Sequence, residues 1–239
     1  MQPPRLITGL VVSMLAAAPA RAAGTFSSAP ITGDADSGIS AARTYTHAVD
    51  FAGGFGGVDP GTTVNGVPFT VGRTSGPNYA TTGFIDNLGG ALTHPNSVPA
   101  GDNTLADLLN DFYFNGNSNG DGVETLTLTG LTSGTAYATT FYNMGFDLTR
   151  TRVATITTSD GGSTTFDQNF TGEGLPSVLR YTFTAADPSI TFTFTPQSGG
   201  SASFHQYGFT NEVLPEPAAA ALLGLATGTA LLGRRRRGT

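Results

Sequence analysis

The sequence contains no cysteine, no lysine and no tryptophan. Without cysteine there is no disulfide, no thiol nucleophile and no cysteine-ligated metal. Positive charge rests on arginine alone, at positions 5, 21, 43, 73, 150, 152, 180 and 234 to 237. Between Ala23 and Val213, five arginines stand against sixteen acids, a formal net charge of −11. A surface of that sign repels phosphates, which excludes nucleic acid as a partner. Charged residues make up only 12% of the chain, and glycine, serine and threonine are abundant, a composition that disordered segments share. Regular runs of Phe, Tyr, Val, Leu and Ile supply the apolar area for a core instead. No unit of roughly 20 to 50 residues repeats, so propellers and solenoids are excluded.

What is present begins at the two ends. Arg5 precedes the apolar stretch Leu6 to Ala18, and Ala20-Arg21-Ala22 is a small-x-small cleavage site. This order predicts a secretory signal peptide over residues 1–22, cut after Ala22. At the other end, Ala218 to Leu232 carries no charge. As a helix those residues span about 22 Å, short of a hydrocarbon core of about 30 Å. Counting from Val213 to Gly233 reaches bilayer length. Pro217 suits the first turn of a helix, where its missing N–H costs nothing. Four arginines then mark a cytoplasmic flank, leaving the intervening domain outside.

Pro215, Glu216 and Pro217, the apolar run, and Arg234, Arg235, Arg236 and Arg237 stand in that order at the C-terminus. The arrangement resembles the PEP-CTERM sorting signal of Gram-negative bacteria, with Leu214 where valine is common. The resemblance implies an exosortase partner, a membrane-embedded cysteine transpeptidase-like enzyme that cuts near the Pro-Glu-Pro. It also implies an association with exopolysaccharide and biofilm. A plain single-pass membrane anchor is the alternative. The expected division is a signal peptide at 1–22, a globular domain at 23–213 and a transmembrane sorting segment at 214–239.

The middle is dominated by short strand signals, at 44–51, 62–72, 124–130, 136–146, 152–160, 163–170, 179–186, 189–196 and 202–213. Leu126 and Leu128 alternate with Thr125, Thr127 and Thr129, and Phe192 and Phe194 with Thr191, Thr193 and Thr195. That period means one buried face and one threonine face in water. Turn residues such as Asn65-Gly66 and Asp160-Gly161-Gly162 separate the runs. The pattern predicts an all-β fold, a single β-sandwich or jelly roll. One segment differs. Leu105, Leu108, Leu109 and Phe112 are spaced i, i+3, i+4, i+7, which predicts a short helix from about Thr104 to Asp111, capped by Asp102 or Asn103. A strand from Phe112 to Phe114 follows. The strings "GLTSGTAYATTFYN", "RVATITTSDGG" and "FHQYGFTNEV" resemble galactose-binding-like jelly rolls, which implies the same all-β fold.

Candidate chemistry is sparse. His47, His94 and His205 are far apart, with no metal-binding spacing, and neither a GxSxG elbow nor a P-loop occurs. Asp86, Asp102, Asp107 and Asp111 are the acids available for a glycosidase pair. Asp107 and Asp111 share a helical face that is expected to be solvated. The loop from Asn115 to Glu124 gathers Asn115, Asn117, Asn119, Asp121 and Glu124, oxygen donors suited to a structural calcium. It opens like an EF-hand loop, but Leu126 takes the twelfth position, and a polar hairpin connection is the alternative reading. Tyr79, in "GPNYATTG", is expected in an exposed loop as a platform for a sugar. No catalytic residue is assigned. The expected role is a non-enzymatic cell-surface or matrix protein. A glycan-binding module is the second reading and a secreted glycoside hydrolase the third.

Overall fold

The computed structural model describes residues 22–51, 61–72, 75–88, 104–115, 122–150, 152–197 and 203–215. In chain order the strands are β1 (Thr25–Pro30), β2 (Thr44–Asp50), β3 (Thr63–Val64), β4 (Val67–Pro68), β5 (Thr70–Val71), β6 (Ser75–Gly76), β7 (Tyr79–Thr82) and β8 (Asp86–Leu88). The one-turn helix α1 (Leu105–Leu108) follows. Then come β9 (Phe112–Phe114), β10 (Glu124–Thr129), β11 (Ala136–Met144), β12 (Val153–Thr158), β13 (Ser163–Asp167), β14 (Pro176–Thr184), β15 (Ser189–Pro196), β16 (His205–Gln206) and β17 (Gly208–Val213). Two six-stranded sheets form an all-β sandwich. The front sheet runs β1-β14-β11-β17-β2-β5 and the back sheet β13-β12-β15-β10-β7-β6. Within both, neighbours are antiparallel except for the short β2–β5 pair. The strands β16-β9-β8 form a small third sheet.

The alternation read in β10 and β15 sets the inner wall of the back sheet. Leu126, Leu128, Phe192 and Phe194 are fully buried. Across from them Leu179, Tyr181 and Phe183 of β14, Phe141 of β11 and Phe209 of β17 belong to the same apolar cluster. Phe141 meets Phe192 and Phe194 edge-on, at 5.1 and 5.3 Å between ring centroids. That geometry places positive ring edges against negative faces.

The front sheet is buried on its other face as well. Tyr142 and Met144 of β11 pack with Tyr207, Val64, Val67, Phe69, Leu105 and Leu108 in a second cluster. For this reason β11 is buried at every position from Tyr137 to Met144 and shows no alternation. A methyl group on Gly208 would stand 2.7 Å from the Leu108 side chain and 2.8 Å from the Val49 carbonyl oxygen. Glycine is therefore required where α1 meets the sheet.

The remaining differences from the expected elements come from tertiary contacts and from turn geometry. The helix is limited to Leu105–Leu108, and its first N–H donates to Asp34 Oδ1 at 2.8 Å. The cap thus comes from a residue distant in sequence, while Asp102 and Asn103 lie outside the described residues. Asp107 and Asp111, expected in solvent, are each 3% exposed, because α1 is wedged onto the sheet. Segment 62–72 is folded rather than extended. Asn65 and Gly66 both take positive φ, 49° and 78°, and close the β3–β4 hairpin. The described strands also include β1, β6, β7 and β8, whose runs lack a clear period.

Phe194→Ala is expected to cost about 3–5 kcal/mol. Thr193→Ala, on the opposite face of β15, is expected to cost about 0.5 kcal/mol or less. Denaturant midpoints of the two variants check this, and equal shifts would refute the assignment of faces.

Candidate functional site

At one end of the sandwich β10 begins, β11 finishes and β17 begins, and polar side chains close the core there. Glu124 opens β10 on the same face as Leu126 and Leu128, so its carboxyl enters the interior. Its Oε1 accepts the Asn115 N–H at 2.8 Å, and its Oε2 accepts the Gln206 side-chain amide at 2.8 Å. Both donors favour the carboxylate, but desolvation outweighs them and pushes the pKa up to about 8. Glu124 is therefore a neutral acid at pH 7.

Beside it, His205 stacks on Phe112, with 3.9 Å between centroids and 13° between planes. His205 Nε2 lies 3.2 Å from Ser203 Oγ, which accepts a hydrogen bond from Arg152 Nη1. Burial first, and the charges of Arg152 and Arg150 second, hold the imidazole well below its ordinary pKa of 6.5. Gln168 links this group to the front sheet. Its amide donates to Asn143 Oδ1 at 2.8 Å and to the His205 carbonyl at 2.6 Å, and its Oε1 accepts the His205 N–H. Ser203 and His205 are thus at the distance of a nucleophile and its base. The ring is only 2% exposed, however, and the charge nearest to it is positive. That arrangement closes a core and does not activate a hydroxyl.

The residues singled out from sequence are spread over the fold. Tyr79 is not an exposed platform. It is 6% exposed, starts β7 and packs edge-on against Phe51 and Phe209. Pro77 and Asn78, the latter at φ 63°, make the turn that carries it inward. Of the calcium candidates, Asn115 is buried and Glu124 faces the core with both oxygens engaged, while Asn117, Asn119 and Asp121 lie outside the described residues. Among the described residues no three His, Asp or Glu side chains converge on a common point. His47 is buried and contacts the Asn78 carbonyl through Nε2 at 2.9 Å. Asp86 is exposed, and His94 and Asp102 lie outside the described residues. At the C-terminal side, the Leu214 N–H donates to the Ala136 carbonyl, so sheet pairing runs up to Pro215. Glu216, Pro217 and Arg234 to Arg237 lie outside the described residues, as do residues 1–21.

One largely apolar recess was not legible in the sequence. A cleft of about 340 Å³ lies at the margin of the second core, lined by Ile31, Asp34, Leu105, Leu109, Met144 and Pro176. It adjoins a second hollow of about 420 Å³ that adds Pro30, Phe170 and Thr171. Phe170 and Leu175, each 46% exposed, stand at its edge. Thr171 Oγ1 donates to the Leu175 carbonyl at 2.9 Å and holds their turn. On the opposite rim, Asp36 accepts the Thr32 and Gly33 N–H groups at 2.9 and 3.0 Å. The Thr32 backbone N–H is the main cause that lowers the Asp36 pKa. "FDQNFTGEGLPS" carries no periodicity, so nothing in it marks Phe170 as exposed.

The closing network predicts a pH profile. From the ordinary value of 4.5 up to about 8, folded Glu124 keeps a proton that the unfolded chain releases, so stability falls as pH rises. His205 acts in the opposite direction. Below its ordinary 6.5 the unfolded chain binds a proton that the folded state refuses, so stability falls as pH drops. Between 4.5 and 6.5 the two slopes oppose one another. Glu124→Gln is expected to remove the loss above pH 6.5 and to leave the acid limb in place. Denaturant midpoints across pH would show this, and an unchanged alkaline slope in the variant would contradict it.

No protein-family model matches the chain, and no curated protein matches it. Its fold does match solved structures. The ANXUR2 extracellular domain from Arabidopsis thaliana is similar with a TM-score of 0.55 at 14% identity, over 72% of this chain and 49% of that one. The ANXUR1 extracellular domain from the same plant gives 0.53 at 16% identity, over 72% and 49%. The plant receptor-like kinase FER gives 0.54 at 13% identity, over 72% and 50%. The chain thus spans about half the length of these structures, and the likeness at such identities is one of fold.

Proposed function

We propose that the protein is an exported, non-enzymatic component of the cell surface or extracellular matrix. Residues 1–22 direct export, 23–213 form the sandwich, and 214–239 hold a precursor in the membrane until an exosortase acts near Pro215. Its setting is exopolysaccharide. The observation that carries this reading is where the titratable groups lie. Glu124 and His205 close the core, and Asp107 and Asp111 are buried beside α1. A glycosidase needs two carboxyl groups facing a common cleft at about 5–10 Å. Among the described residues that line the cleft, Asp34 is the single carboxyl, and its Oδ1 accepts the Leu105 N–H; the other side chains there are apolar or hydroxyl-bearing. Such a surface is suited to holding a partner.

A glycan-binding module is the second reading, favoured by Phe170. It is an exposed aromatic beside Thr32 and Thr171, the pairing of apolar ring face and polar rim that sugars require. Two measurements test these readings. The intact mass of the extracellular protein is expected to lack Arg234 to Arg237; their retention would leave only a simple anchor. The mature chain is expected to be retained on the host's own exopolysaccharide without shortening it, and Phe170→Ala is expected to weaken retention if the cleft is the site. Release of reducing ends would establish a hydrolase instead.

A further inference from the structure

We propose that the outer face of the back sheet is an ice-binding surface. The observation is a regular array of hydroxyls. The strand register places Thr82, Thr125, Thr193, Thr157 and Ser163 in one row across β7, β10, β15, β12 and β13. Thr127 and Thr191 form part of the next row, and Thr195, Thr155 and Thr165 a third. Thr82, Thr157, Ser163, Thr165 and Thr195 are exposed, and Thr125, Thr127, Thr155, Thr191 and Thr193 are half-buried. None of them belongs to either apolar cluster.

Three properties select the partner. The first is charge: these rows contain no ionisable side chain, in a domain that otherwise carries an excess of acids. A charged polymer therefore finds no counter-charge in these rows; Asp167, at the end of edge strand β13, lies one row beyond them. The second is composition: no aromatic side chain stands in these rows, so a sugar ring has nothing to stack on. The third is the repeat. Hydroxyls recur about every 4.8 Å across strands and about every 6.7 Å along them. These two spacings are close to those of the water oxygens on the prism faces of hexagonal ice. Threonine also offers a methyl and a hydroxyl on a stiff χ1. Some hydroxyls are fixed further by pairing, Thr82 with Thr125 at 2.7 Å and Thr127 with Thr191 at 2.9 Å. Each such pair keeps one donor and several lone pairs for a neutral, ordered water layer. Sheet twist of roughly 20–25° per strand restricts the match to the central strands β10, β15 and β12. The expected activity is crystal shaping and inhibition of recrystallisation, with only a small depression of the freezing point.

The test uses the mature chain and single ice crystals grown slowly from its solution. The native protein is expected to facet the crystals and to be enriched in the ice fraction over an inert control protein. Thr193→Tyr, at the centre of the longest row, is expected to lower that enrichment to the control level. Thr132→Tyr, on an exposed loop, is expected to leave it unchanged. Thr127→Tyr serves as a second variant if Thr193→Tyr shifts the denaturant midpoint. Absence of both shaping and enrichment in the native chain overturns the proposal. So does enrichment that survives substitution at Thr127 and Thr193. Retention on crystalline cellulose without any effect on ice would also overturn it and would assign the face to a neutral polysaccharide.

Discussion

The pairing of β11 with β14 on one side and β17 on the other is the interaction on which the rest of the structure depends. β11 is nine residues long, and nearly all of it is withdrawn from water. Its backbone groups have no solvent to fall back on, so both neighbouring strands must stay in register with it. Both of its faces must also be covered. Phe141 needs the back sheet, and Tyr142 and Met144 need something on the other side.

That second requirement explains pieces of chain that look incidental. The β3–β4 hairpin, α1 and the residues around Ile31 and Ile39 cover the outer face of the front sheet. None is long enough to be stable alone, because an isolated helical turn or two-residue hairpin orders more backbone than its own contacts offset. They are ordered by what they cover and by contacts distant in sequence. Asp34 caps α1, and Asn65 donates to the carbonyls of Asp34 and Ile39. The cleft beside Leu105 and Met144 is the margin where this covering ends.

The end of the sandwich meets a different physical problem, because strands that finish there bring polar residues to an apolar core. Glu124, Gln206, Asn143, Gln168 and His205 meet it by hydrogen-bonding one another or nearby backbone. The cost appears as displaced pKa values for Glu124 and His205, in both cases because burial disfavours the charged form. Groups sequestered in this way stabilise one arrangement of the end and are not available to a substrate. The recognition proposed above is therefore assigned to surfaces, namely the cleft and the hydroxyl face of the back sheet.

The sequence by itself determined the all-β class, the inward faces of β10 and β15, and the turn at Asn65-Gly66. Each is local: a period of two sorts side chains whatever the rest of the chain does, and positive φ favours glycine and asparagine anywhere. It also showed the short apolar segment at Leu105 to Phe112 and the strand Phe112 to Phe114. Tertiary structure alone decided the rest. Tyr79 looked like a loop residue until the hairpin of β6 and β7 turned it inward. Asp107 and Asp111 looked solvated until α1 was pressed onto Gly208. Glu124 looked like a ligand for a cation until its strand faced the core. In each case burial came from residues far away along the chain, and a pattern of neighbours carries no record of them.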